Sequence, residues 1–137
     1  MDGYKDYIKE VRDFPIKGVN FKDISPLLSD QESFRSALVD MGRLVKNPDY
    51  WVGIDSRGYL FSSGLATYFG GGVICARKEG KTPGDKISVS YDLEYGNATL
   101  EELAGYTVVG NIVLIDLKYV PRVDNFNLDV KSVIKYA

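Results

Sequence analysis

Two short apolar runs constrain this chain most: YWVGI at 50–54 and VICAR at 73–77 bracket a stretch with helical spacing. Between them Leu60, Gly64, Leu65 and Tyr68 recur every three or four residues, and the glycines at 70–72 close the stretch. That spacing predicts a helix over 58–69 set between two strands buried on both faces. Apolar strands interleaved with helices mean an α/β fold with a largely parallel sheet and flanking helices.

The flanking segments fit the same class. Tyr4, Tyr7, Ile8 and Val11 predict a short amphipathic helix over 3–12. DFPIKGVNFKDISPLLSD, with two prolines and Gly18, reads as an extended arm. Asp30 reads as an N-cap, and Phe34, Leu38, Met41 and Val45 form one apolar stripe of a helix over 31–46. KEGKTPGDK (78–86) reads as a charged turn, and ISVSYDLEYG (87–96) alternates as a strand does. LEELAG (100–105) offers at most two helical turns before Gly105. TVVGNIVLIDLKYV (107–120) reads as a central strand and DVKSVIKY (129–136) as a final one. The expectation is a single domain over 1–137, with an arm at 1–30 and a core at 31–137.

Composition excludes several kinds of chemistry. A net charge of −2 argues against a nucleic-acid partner, which needs a strongly basic face. With no histidine and one cysteine, Ser–His and Cys–His catalysis, imidazole ligation, disulfides and Cys-based zinc sites all fall away. Cys75 lies within an apolar run and reads as a buried structural thiol. MDGYKDYIKEVRDF lacks the apolar centre of a signal peptide, and no stretch reaches membrane-spanning length, so a cytoplasmic protein without a membrane partner is expected. NAT at 97–99 fits a glycosylation sequon but, without a secretory signal, reads as loop sequence.

The chemistry-bearing stretch is Asp55-Ser56-Arg57-Gly58, between the first strand and the helix. Ligands of open α/β sheets gather beyond the carboxyl ends of strands. Backbone N–H groups, the helix dipole and a guanidinium there favour a phosphate-type anion. Asp55 could hold a metal-bound water or orient Arg57. The same residues read equally as a solvent-exposed Asp–Arg pair after an ordinary strand.

RDFPIKGVNFKDISPLL, VGIDSRGYLF, ARKEGKTPG and SYDLEYG stand in the order and spacing of the adenine phosphoribosyltransferases, which the chain resembles closely over residues 4–100. GYTVVGNIVLIDLKYV and VKSVIKY resemble that family's last strands. The resemblance implies a type I phosphoribosyltransferase fold, usually a homodimer. It also implies transfer of 5-phosphoribosyl from phosphoribosyl pyrophosphate to adenine, with magnesium, giving AMP and pyrophosphate. By motif, Asp55, Ser56, Arg57 and Gly58 take the place of the pyrophosphate loop, with a cis peptide between the first two. Arg77, Lys78 and Lys81 match the basic turn that meets the pyrophosphate, although a solvated charged turn is the plainer reading. Glu94 and Tyr95 match the loop that closes over the reaction centre, the acid near a purine ring nitrogen and the tyrosine excluding water. With Arg57 they form the catalytic set. Asn20, Phe21 and Lys22 match the purine-binding hood, where Phe21 stacks on the base; a core contact is the alternative for Phe21.

One family motif has no counterpart. The family carries a strand ending in two adjacent acids, then a Thr- and Gly-rich loop that cradles the 5-phosphate. VLIDLKYV has only Asp116 and continues into LKYVPRVDNF, without a Gly, Ser or Thr cluster. A strand–loop–helix unit of roughly 30 residues is missing between EYGNATLEELAG and the terminal strands. Losing several charge-assisted contacts at about 1.5–3 kcal/mol each removes most of the grip on the donor. Three readings follow: an impaired homologue retaining purine, nucleotide or pyrophosphate binding; an active transferase with a substitute cradle; and a non-catalytic interaction protein. Magnesium belongs only to the active reading.

Overall fold

A computed structural model of the chain describes residues 2–78, 86–93, 96–103, 108–120 and 129–137. It divides into two units, Met1–Val45 with Gly110–Ala137, and Lys46–Val109. Among the described residues no helix is long and apolar enough to cross a membrane.

The second unit contains the expected strand–helix–strand. It comprises β3 (Tyr50–Ile54), α3 (Gly58–Phe69) and β4 (Gly72–Lys78). The two strands pair in parallel from Tyr50↔Gly72 to Ile54↔Ala76, the arrangement that a crossover helix permits. Trp51 and Gly53 are buried toward α3, and the Trp51 indole N–H donates to the Gly70 carbonyl at 2.9 Å. Phe61, Ser62 and Leu65 form the buried stripe of α3. Gly71 ends the connection with φ 97°, where a Cβ would sit 3.0 Å from the Pro48 and Asp49 carbonyl oxygens. Burial on both faces of β3 is not what forms. Tyr50, Val52 and Ile54 are about half exposed, because α3 packs on the other face and β3 is an edge strand among the described residues.

Beyond β4 the pairing turns antiparallel. β5 (Lys86–Leu93) and β6 (Gly96–Leu103) form a hairpin from Lys86↔Leu103 to Leu93↔Gly96, and β6 joins β4 at Arg77↔Glu101. Over Leu100–Leu103 the helix expected at 100–105 is therefore corrected to strand, residues 104 and 105 lying outside the described residues. Two isolated helical turns are marginal, whereas the hairpin satisfies the backbone on both sides of β6.

In the first unit the helix expected over 3–12 is also corrected. A 3-10 helix (Asp2–Tyr7) buries Tyr4, and β1 (Lys9–Arg12) then pairs antiparallel with β2 (Asn20–Asp23), Lys9↔Asp23 through Arg12↔Asn20. The turn between these strands has a cis Phe14–Pro15 bond, and the Asp13 carboxylate accepts the Gly18 N–H at 2.8 Å. The arm expected to be extended also contains α1 (Ser25–Ser29), with proline in its first turn. Asp30 caps α2 (Gln31–Gly42) by accepting the Ser33 N–H at 2.9 Å. Leu27, Ala37, Met41, Leu114 and Ile134 make the core here. The last strands, β7 (Asn111–Leu117) and β8 (Val130–Tyr136), pair in parallel, and among the described residues β7 has β8 as its one partner rather than a central place.

Candidate functional site

The turn after β3 is built by close backbone approach. Gly53 lies under the start of α3, where a Cβ would stand 2.8 Å from the Gly58 carbonyl oxygen and collide with the Ser62 hydroxyl. With no side chain at either glycine, α3 starts directly on the strand end. Its N-terminal N–H groups and positive dipole end then lie at the turn. The Asp55–Ser56 peptide is cis, as the resemblance implies. The Asp55 N–H extends the β3–β4 ladder by one bond, donating to the Ala76 carbonyl at 2.9 Å. The Asp55 carboxylate accepts the Lys78 N–H at 3.2 Å. Thus Asp55 is half-buried and bonded to β4, while Ser56 and Arg57 are exposed at the helix start. Arg77 and Lys78, also exposed, end β4 beside the turn.

Electrostatics tie one further residue to this cluster. The Tyr59 hydroxyl donates to the Ala76 carbonyl at 3.2 Å. Burial pushes its pKa up, with the nearby Asp55 carboxylate and Cys75 adding to the rise and Arg77 opposing it. Cys75 is half-buried, more open than the sequence suggested. Sequence reasoning passed over Tyr59, because an aromatic one residue into a helix carries no signal separating packing from support of a turn.

The hood residues fall on two faces of β2. Strand alternation sends Phe21 to one side, where it meets Phe14 edge-to-face at 5.1 Å. Asn20 and Lys22 point to the other side, toward Glu10. Asn20 Nδ2 donates to Glu10 Oε2 at 3.1 Å, and Lys22 Nζ lies 3.0 Å from Glu10 Oε1. The ammonium also sits 4.4 Å from the Tyr136 ring and 5.9 Å from that of Tyr119. The Lys22 side chain is 6% exposed, so it binds the hairpin to β8. The bonds from Asn20 and then Lys22 hold the Glu10 carboxyl below its ordinary range. Among the described residues Asn20 Oδ1 is buried without a hydrogen-bond partner. Glu10, Tyr119 and Tyr136 were missed; the Glu10↔Lys22 pairing is legible only once residues 9–12 are read as strand.

The turn belongs to the second unit and the hood to the first. Lys81, Glu94 and Tyr95 lie outside the described residues. Among the described residues no group of three or more His, Cys, Asp or Glu could hold a metal ion. Asp55 is the one carboxylate at the turn among the described residues, and Lys78 N–H engages it. These residues do not form a protein cage for magnesium.

A parallel strand–turn–helix with cationic side chains at the strand's carboxyl end places the chain among α/β proteins of the phosphoribosyltransferase type. No family model matches the chain. It is 46% identical over 97 residues to the adenine phosphoribosyltransferase of Mycoplasmopsis synoviae, covering 71% of this chain and 57% of that one. The chain thus spans just over half the length of that curated relative. The solved adenine phosphoribosyltransferase of Thermoanaerobacter pseudethanolicus superposes with a TM-score of 0.82 at 28% identity, over 98% of this chain and 99% of that one. That of Giardia lamblia, complexed with 9-deazaadenine, superposes at 0.72 with 31% identity, over 82% and 66% of the two chains. The chain belongs to the adenine phosphoribosyltransferase family.

Proposed function

We propose that this family member binds pyrophosphate, or the phosphates of a purine nucleotide, at Asp55, Ser56, Arg57 and Gly58, and that its transferase activity is impaired. The observation that carries this reading is the tethering of the turn, Asp55 bonded to β4 through both its N–H and its carboxylate while Ser56 and Arg57 face solvent. Preorganised donors stabilise an anion without reorganising when it arrives. Arg57 supplies a forked guanidinium suited to phosphate oxygens. Arg77, Lys78 and Lys81 supply further positive charge as pyrophosphate departs. Phe21 offers a face for the purine, supported by the 9-deazaadenine in the Giardia relative. Asn20 and Lys22 act there through the backbone, since their side chains are engaged with Glu10. Impairment follows from the sequence, which lacks the acidic pair and the phosphate cradle. Were the chain active, magnesium would accompany the pyrophosphate as its counter-ion, since hard cations pair with phosphate oxygens.

The second reading is an active transferase making AMP from adenine, as a homodimer, with Glu94 and Tyr95 closing over the reaction centre. The match over 99% of the Thermoanaerobacter chain favours it. Calorimetric titration with pyrophosphate, with and without magnesium, tests the binding. The expected result is binding by the wild type and its loss in Arg57→Ala. Conversion of labelled adenine to AMP above the Arg57→Ala background would establish the second reading instead.

A further inference from the structure

The Asp55–Gly58 turn is held at both ends by one atom. The Ala76 carbonyl oxygen accepts the N–H of Asp55, which opens the turn, at 2.9 Å. It also accepts the hydroxyl of Tyr59, the residue just after the turn, at 3.2 Å. A carbonyl oxygen has two lone pairs and can take both donors at once. The first bond belongs to the β3–β4 ladder and would form with any residue but proline at position 55. The second depends on one hydroxyl, supplied from the first turn of α3. With both present, the turn is a closed ring standing on β4.

We propose that Tyr59 is a positioning residue of the anion-binding turn: its hydroxyl, sharing the Ala76 carbonyl with Asp55, fixes the direction of the backbone donors and of Arg57. The inference rests on the pyrophosphate-binding reading given above. Tyr59 acts through the turn and need not touch the anion. A phenylalanine there keeps the ring and its packing but releases the helix end of the turn. Pyrophosphate, which spans several donors, suffers more from that release than a single orthophosphate, which needs fewer of them aligned.

The test is calorimetric titration of the full chain with inorganic pyrophosphate and, separately, orthophosphate. The proteins are the wild type, Tyr59→Phe, and Tyr68→Phe as a control, since Tyr68 is an exposed tyrosine of the same helix. Tyr59→Phe is expected to weaken pyrophosphate binding by about threefold to tenfold. Orthophosphate affinity should fall less, the melting temperature should match wild type, and Tyr68→Phe should bind normally. Equal pyrophosphate affinity in Tyr59→Phe and wild type would overturn the positioning role and leave the site standing. Equal losses for both anions with a lowered melting temperature would make Tyr59 a packing residue and overturn it too. Absence of pyrophosphate binding by the wild type would overturn the site reading, and this inference with it.

Discussion

At the residue scale, the decisive position is Gly53. A Cβ there would meet the Gly58 carbonyl oxygen at 2.8 Å, and that oxygen is backbone that cannot swing aside. Gly53→Ala should therefore destabilise the second unit by about 1–3 kcal/mol through overpacking, read by urea denaturation. Because the displaced element is the start of α3, pyrophosphate affinity should drop in the same variant; an unchanged midpoint and affinity would show that α3 shifts without cost. The contrast with Lys22 is instructive. Both residues come from motifs that carry the resemblance. Gly53 contributes only the absence of a side chain, while Lys22 spends its ammonium on Glu10 and the Tyr136 ring.

At the element scale, α2 depends on its first turn. Asp30 accepts the Ser33 N–H at 2.9 Å, and the hydrogen bonds from Ser33 hold its carboxyl below the ordinary carboxylate range. A carboxyl depressed on folding stabilises the fold above its unfolded pKa, and that contribution disappears as pH falls through the folded value. The melting temperature of the wild type should thus fall more steeply than that of Asp30→Asn on acidification below the unfolded Asp pKa. Asp30→Ala should melt lower than wild type at neutral pH, as loss of a cap does. Parallel acid profiles for wild type and Asp30→Asn would show that the cap does not depend on charge. The hairpin β5–β6 carries the complementary lesson. LEELAG has helix-forming residues, but pairing with β4 and β5 outweighs the small propensity of so short a segment.

At the scale of the whole molecule, ligand binding and stability are linked. A ligand that binds only the folded chain stabilises it by about 2.7 kcal/mol at a hundredfold excess over Kd. Saturating pyrophosphate should raise the wild-type melting temperature by several degrees and leave that of Arg57→Ala unmoved. An equal rise in both proteins would place the binding elsewhere. The chain spans just over half of its Mycoplasmopsis relative. β3, which bears the turn, is left as an edge strand among the described residues. No charge or proline interrupts Tyr50–Ile54 to guard that edge against association.

The sequence by itself determined the α/β class, the helix between β3 and β4, the Asp30 cap and the family. Each of these rests on local periodicity, cap chemistry or contiguous motifs. Only the tertiary structure decided that residues 9–12 and 96–103 are strands, because a ladder is formed with residues distant along the chain. It also decided that Asn20 and Lys22 turn away from Phe21, and that Ala76 joins the two ends of the turn at 55–58. Those outcomes depend on register and on which face each side chain takes. Both emerge when separated segments pair, and no window of residues contains them.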